Sequence, residues 1–140
     1  MIIEVDKRLI AWCLALEGSI MLIKNRGAYT PCVEFINTNP ELITKFSKLI
    51  IDIPHHINRK DYNDKRSTNY RCRCRTLESA KCILDTVKDY LPSKNKQAEL
   101  LLEFINSRLD NKFSITTERE REIHNEIKEL NKLGKGKREG

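Results

Sequence analysis

The run Ile10-Ala11-Trp12-Cys13-Leu14-Ala15-Leu16-Glu17-Gly18-Ser19 is apolar until it meets a carboxylate, a glycine and a serine. It reads as a helix that glycine breaks, and Ser19 to Lys24 then carries the β-branched and apolar content of a strand. A sheet must therefore begin directly where this helix stops. An ionisable group at the mouth of an apolar, close-packing helix is costly unless a metal ion or a partner needs it there, so Glu17 is the residue to explain. Ala11 and Ala15 lie four apart on one face, with Gly18 one turn further on, a spacing that lets a second backbone come close.

The chain has 140 residues, enough for one domain with a core of its own. Its 26 Lys and Arg against 20 Asp and Glu leave a formal charge of +6, which favours a polyanionic partner. No apolar run has membrane-spanning length and no signal-peptide pattern opens the sequence, so the expectation is an intracellular, cytoplasmic protein of a prokaryote or organelle with no membrane partner. Cys13, Cys32, Cys72, Cys74 and Cys82 form no CxxC pair and read as reduced core residues rather than a zinc site or a disulfide frame. His55-His56 has no second ligand at metal-binding spacing and is expected in a loop or at a strand edge.

After the first strand, Asn25-Arg26-Gly27 is a turn, and Tyr29 to Ile36 alternates, with Val33 and Phe35 facing the core and Thr30, Cys32 and Glu34 facing away. Asn39, Pro40 and Glu41 start a helix that runs to about Ile50 and buries Leu42, Phe46, Leu49 and Ile50. A third strand is expected near His56 to Asp61, then a loop through Asp61 to Thr68. Tyr70-Arg71-Cys72-Arg73-Cys74-Arg75 alternates strictly and places three guanidiniums on one strand face. Three like charges need acidic neighbours or a polyanion opposite them, and the neighbouring third strand is itself basic at Arg59 and Lys60. Nucleic acid is the better reading: arginine pairs bidentately with guanine in the major groove, and a carboxylate such as Glu34 accepts from cytosine. Thr76 caps a helix carrying Ala80, Ile83, Leu84 and Val87 inward as far as Tyr90, and a further helix follows Pro92-Ser93. Thr116-Thr117-Glu118 caps a last, charged helix to about Leu133 with a stripe of Ile123, Ile127 and Leu130, before a basic end.

The first run resembles the signature helix of the LAGLIDADG homing endonucleases, whose final acidic residue, followed by Gly-Ser and a strand, binds the catalytic metal. Anchored on Glu17-Gly18-Ser19, the motif's opening Leu-Ala falls on Ile10-Ala11. Trp12 stands where the family usually has glycine, Leu16 where it has alanine or glycine, and Ala15 where it has its first aspartate. Tyr90-Leu91, with Lys94 three residues before Gln97-Ala98 and an apolar helix, matches the end of the family's domain and puts Lys94 on the family's active-site lysine. Asn37-Thr38-Asn39-Pro40-Glu41-Leu42 looks like the family's strand-to-helix junction, with Asn37 near the metal site.

The resemblance implies an α+β fold of αββαββα order, an antiparallel four-stranded sheet packed on helices, over residues 1–109, followed by a helical extension at 110–134 and a basic disordered tail at 135–140. With a single signature helix, a full site requires a homodimer meeting through Ala11, Trp12, Ala15 and Leu16, expected as a rotated packing through the two alanines with Trp12 at its edge. It further implies a Mg²⁺-dependent endonuclease that makes a double-strand break in a roughly palindromic DNA. Glu17 and Gly18 would hold the metal, Lys94 would act at the phosphate and Asn37 would orient water. Thr30, Glu34, Asn58, Lys60, Arg71, Arg73 and Arg75 would line the DNA groove. Two alternatives stand beside this one: a non-cleaving nucleic-acid binder of the same fold, an intron maturase or regulator for which RNA is a possible partner, and an unrelated basic α+β binding module.

Overall fold

The computed structural model of the chain describes residues 2–62, 68–111 and 116–139, with 134–139 given by their backbone alone. Helix α1 spans Glu4–Glu17, and Glu4 and Asp6 in its first turn complement the helix dipole. Strands β1 (Gly18–Asn25) and β2 (Ala28–Asn37) form a hairpin in which Asn25 pairs with Ala28. The two turn residues, Arg26 and Gly27, both have positive φ, the mirror-image geometry that matches the twist of the strands. Helix α2 (Pro40–Leu49) starts on Asn39, whose side chain accepts the Glu41 N–H, and has proline at its first position. Strands β3 (His56–Lys60) and β4 (Asn69–Cys74) follow, and then helices α3 (Leu77–Val87), α4 (Asn95–Asp110) and α5 (Glu118–Glu139).

The sheet is antiparallel throughout, in the order β1-β2-β4-β3, so the fold is the α+β arrangement expected, αββαββα with α4 and α5 added. One face of it, with Ile20, Leu22, Val33, Phe35, Cys72 and Cys74, packs into a single hydrophobic cluster with the helices. Phe35 stacks on Phe46 of α2 at 4.7 Å between ring centroids. Each fully buried aliphatic or aromatic side chain there contributes about 1.5–3 kcal/mol of transfer free energy. Helix α5 joins the same cluster through Ile123 and Ile127, fixed further by Arg108, which donates to both oxygens of the buried Glu120 at 2.6 and 2.7 Å.

Several side chains fall elsewhere than the sequence suggests. Helix α2 buries Ile43 and Phe46, with Ile50 buried at its C-cap and Leu49 half-buried, whereas Leu42 is exposed: Ile43 takes the place expected of Leu42 on the face toward the sheet. Cys32, Cys72 and Cys74 are buried and Cys13 is half-buried, but Cys82 is exposed. His55 is held between the Ser47 hydroxyl and the Ile53 carbonyl, both at 2.6 Å, and His56 opens β3. Helix α5 runs to Glu139. Most of the loop expected through Asp61 to Thr68 lies outside the described residues, as does Gly140. Among the described residues, no helix is long and apolar enough to cross a membrane.

Candidate active site and nucleic-acid face

The C-terminal end of α1 gathers residues from three distant segments. Glu17 is the last residue of α1, Gly18 opens β1, Asn37 closes β2, and Lys94 is the N-cap of α4. Gly18 is glycine for lack of room rather than for its backbone angles, which are extended. A Cβ there would lie 2.6 Å from the Glu34 carbonyl oxygen and 2.7 Å from both Cα and the carbonyl oxygen of Leu14, all backbone atoms that cannot swing aside. That contact seats the end of α1 directly on β2.

Asn37 orients Glu17. Its Oδ1 accepts the Asn39 N–H at 2.8 Å, which fixes the way its amide faces, and its Nδ2 donates to Glu17 Oε2. Asn39, the neighbouring polar residue, is instead occupied in capping α2. Lys94 has φ +64°, a left-handed conformation that costs a residue with a side chain about 1–2 kcal/mol. What holds it there is its ammonium, whose Nζ donates to the Leu14 carbonyl at 3.0 Å and the Gly18 carbonyl at 2.7 Å. A lysine is unfavourable at the start of its own helix α4 but favourable here, at the negative end of α1.

Glu17, Gly18, Asn37 and Lys94 line one cavity of about 640 Å³, with Arg71 and Asn131 among its other walls. Asn131 belongs to α5 and was not among the residues singled out from the sequence. Its Nδ2 donates to the Ile20 carbonyl and its Oδ1 accepts from Gln97, each at 3.2 Å, so it ties α5 to β1 and to the first turn of α4 beside Lys94. The spacing Ile123, Ile127, Asn131, a polar residue continuing an apolar stripe at intervals of four, is the signal that marks it.

The sheet face turned away from the core carries the alternate residues of each strand. Arg73 lies between Glu34 of β2 and His56 of β3, while Arg71 lies between Ile36 and Asn58. Asn58 and Lys60 are exposed on the edge strand; Thr30, Arg71, Arg73 and Arg75 are partly exposed. Glu34 is only 1 % exposed, with its Oε2 3.3 Å from Arg73 Nε, its cross-strand neighbour, and it is among the residues that line the cavity. Burial first, and then the Glu34 carboxylate, push the nearby Cys32 thiol pKa up.

Helix α1 is apolar on two faces. Ile10, Ala11 and Leu14 are buried against the sheet, and Ala11 is fully inaccessible, so the small-residue face of α1 packs within the chain. Val5, Leu9, Trp12 and Leu16, at helical spacing, form the other stripe and are 50–64 % exposed. Trp12 and Leu16 are thus central to the outward face, while Ala15 is partly buried at its side.

No family model and no curated protein matches this chain. Solved structures do match it. The archaeal intron-encoded homing endonuclease I-Vdi141I, complexed with DNA, superposes with a TM-score of 0.68 at 14% identity, covering 90% of this chain and 84% of that one. The homing endonuclease I-CvuI, in complex with a target DNA in the presence of Mg and with the DNA not cleaved, gives 0.60 at 14% identity over 89% of this chain and 76% of its own. The LAGLIDADG homing endonuclease I-GzeII, in complex with its DNA target, gives 0.58 at 19% identity over 86% of this chain, which spans only 42% of that longer one.

Proposed function

We propose that this chain, whose fold is that of the LAGLIDADG homing endonucleases, is a sequence-specific DNA endonuclease that works as a homodimer and hydrolyses phosphodiester bonds with Mg²⁺. Its product would be a double-strand break at a roughly palindromic site. The observation that carries this reading is the convergence of Glu17, Asn37 and Lys94 on one cavity next to the arginine-bearing sheet face.

The donors present suit Mg²⁺. Glu17 offers a hard carboxylate oxygen, and Mg²⁺ retains several non-protein ligands in such sites; the Gly18 carbonyl, expected as a second ligand, is instead the acceptor of Lys94 Nζ at 2.7 Å. Among the described residues no three acidic, His or Cys side chains cluster, so one chain gives part of a coordination shell, to be completed by water, phosphate oxygens and a second copy's carboxylate. When bound, the ion supplies an activated water and neutralises charge developing at phosphorus. Asn37 holds the Glu17 carboxylate in one orientation, so the site needs little rearrangement when the phosphate arrives. Lys94, anchored on two backbone carbonyls, keeps a positive charge on the cavity wall where it stabilises the phosphoryl oxygens as bonds change.

The exposed stripe of α1 supplies the surface through which two copies meet, on a two-fold axis that brings their Glu17 residues together. Two carboxylates that close are tolerable when divalent cations and phosphate oxygens share them. The two sheets then line one groove, with the strand face of Arg71, Arg73 and Arg75 toward the duplex.

One observation favours the non-cleaving binder. Trp12, 52 % exposed at the middle of the outward stripe, is a large side chain that would hold two facing helix axes apart and separate the paired carboxylates. The test is incubation of purified protein with a randomised duplex library, with and without Mg²⁺ and with Glu17→Gln in parallel. Enriched cut ends that need both Mg²⁺ and Glu17 support the nuclease; enrichment by binding with no cut end supports the binder.

A further inference from the structure

The buried carboxylate on the arginine face is unexplained by cleavage. Glu34 lies in register with Arg73, is 1 % exposed, and neither of its oxygens forms a hydrogen bond among the described residues. Its contact with Arg73 Nε, at 3.3 Å, is one of charge without aligned hydrogen-bond geometry, and Arg73 Nη2 is held at 3.6 Å from Cys32 Sγ. Arg73 keeps a side chain 15 % exposed, set between this carboxylate and the His56 strand. Arg71 and Arg75 flank it on the same face, each with a buried Nε that has no hydrogen-bond partner among the described residues, and neither forms an ion pair among them.

A charge compensated by a buried carboxylate attracts phosphate weakly, because the pair is neutral at a distance. With Nε against Glu34 and Nη2 on the weak acceptor Cys32 Sγ, the guanidinium still turns its Nη1 side outward as a donor at close range. Uncompensated arginines do the opposite: they supply the salt-dependent, sequence-independent part of affinity. We infer that Glu34 is a positioning residue that turns Arg73 into a reader of a base edge, a guanine in the major groove, while Arg71 and Arg75 supply the attraction to the backbone. This rests on the reading of the sheet as a DNA face, and it divides one stripe of three like residues into two tasks.

The experiment measures duplex binding with Ca²⁺ in place of Mg²⁺, so that cleavage plays no part. Selection from randomised duplexes gives the base preferences, and titration against salt gives the slope of log K. Glu34→Gln frees one positive charge in each copy. The slope should steepen by about 0.9 per copy, and preference at one guanine of each half-site should fall on the order of tenfold. The double variant Glu34→Leu with Arg73→Met replaces the pair by apolar side chains of similar volume and serves if Glu34→Gln does not fold. It should keep the wild-type slope and lose the same guanine preference. Arg71→Ala should instead flatten the slope and weaken binding to all sequences alike. Wild-type protein that binds no duplex overturns the DNA reading and this inference with it. Wild-type protein that selects a sequence, with the double variant selecting the same guanine as strongly, overturns the inference alone.

Discussion

The corner at the end of α1 and the arginine face of the sheet border the same cavity, yet they are held by opposite means. At the corner, polar side chains are anchored to backbone: Lys94 to the Leu14 and Gly18 carbonyls, Asn37 by the Asn39 N–H. On the sheet, Glu34 and Arg73 hold one another by charge, and the Nε atoms of three arginines lack hydrogen bonds among the described residues. Groups tied to backbone keep their place whatever ligand arrives, as a reacting centre requires. Groups held by charge adjust to a partner, as recognition of varied base edges requires.

The largest effect expected from breaking this division lies outside both regions, in the outward stripe of α1 through which two copies are proposed to meet. Trp12→Asp combined with Leu16→Asp should abolish cleavage and leave a folded monomer, since both residues are exposed in the single chain. Sedimentation together with circular dichroism reads this directly, and wild-type protein that sediments as a monomer at high concentration would contradict it. Gly18→Ala should come next, destabilising the fold by about 3 kcal/mol because the new methyl group meets only backbone atoms. Urea unfolding measures the loss; a change within about 0.5 kcal/mol would show that α1 can lift off β2 freely.

Lys94 separates anchoring from chemistry. Lys94→Ala should slow cleavage about a hundredfold, while Lys94→Gly, equally inactive, should be more stable than the alanine variant by about 1 kcal/mol, since glycine accepts the left-handed backbone. Equal stability of the two variants would mean that the backbone relaxes once the ammonium is gone. The smallest effect at neutral pH concerns Cys72 and Cys74, whose pKa values burial raises to about 12. Unfolded thiols ionise near about 8.5, so the unfolded chain loses these protons first, and stability is fully present below that pH and falls as pH rises toward 12. Replacing both with alanine should flatten that alkaline part of the stability curve.

Much of the corner was legible in the sequence because each part carries a local signal: glycine after an apolar helix at Glu17-Gly18, a strand running into a capped helix after Asn37, a break before an apolar helix at Lys94. Antiparallel pairing and the core face followed from alternation at Val33, Phe35, Cys72 and Cys74. What failed to show was long-range. The burial of Glu34 depends on strand order and register, which place Arg73 directly beside it. Asn131 enters the site only because α5 docks on β1, across more than a hundred residues of chain. Helix α1 is apolar on both sides, so composition alone could not tell that Ala11 turns inward while Val5, Leu9, Trp12 and Leu16 face out.

The most direct test is the single-turnover rate at which wild type and Glu17→Gln cut a duplex obtained from the library. With binding retained, the glutamine variant should be on the order of a thousandfold slower, since it removes the charged oxygen ligand without changing its shape. Cutting at the wild-type rate by Glu17→Gln, or cutting that persists in excess chelator, would contradict the assignment of this corner as a metal-dependent cleavage site.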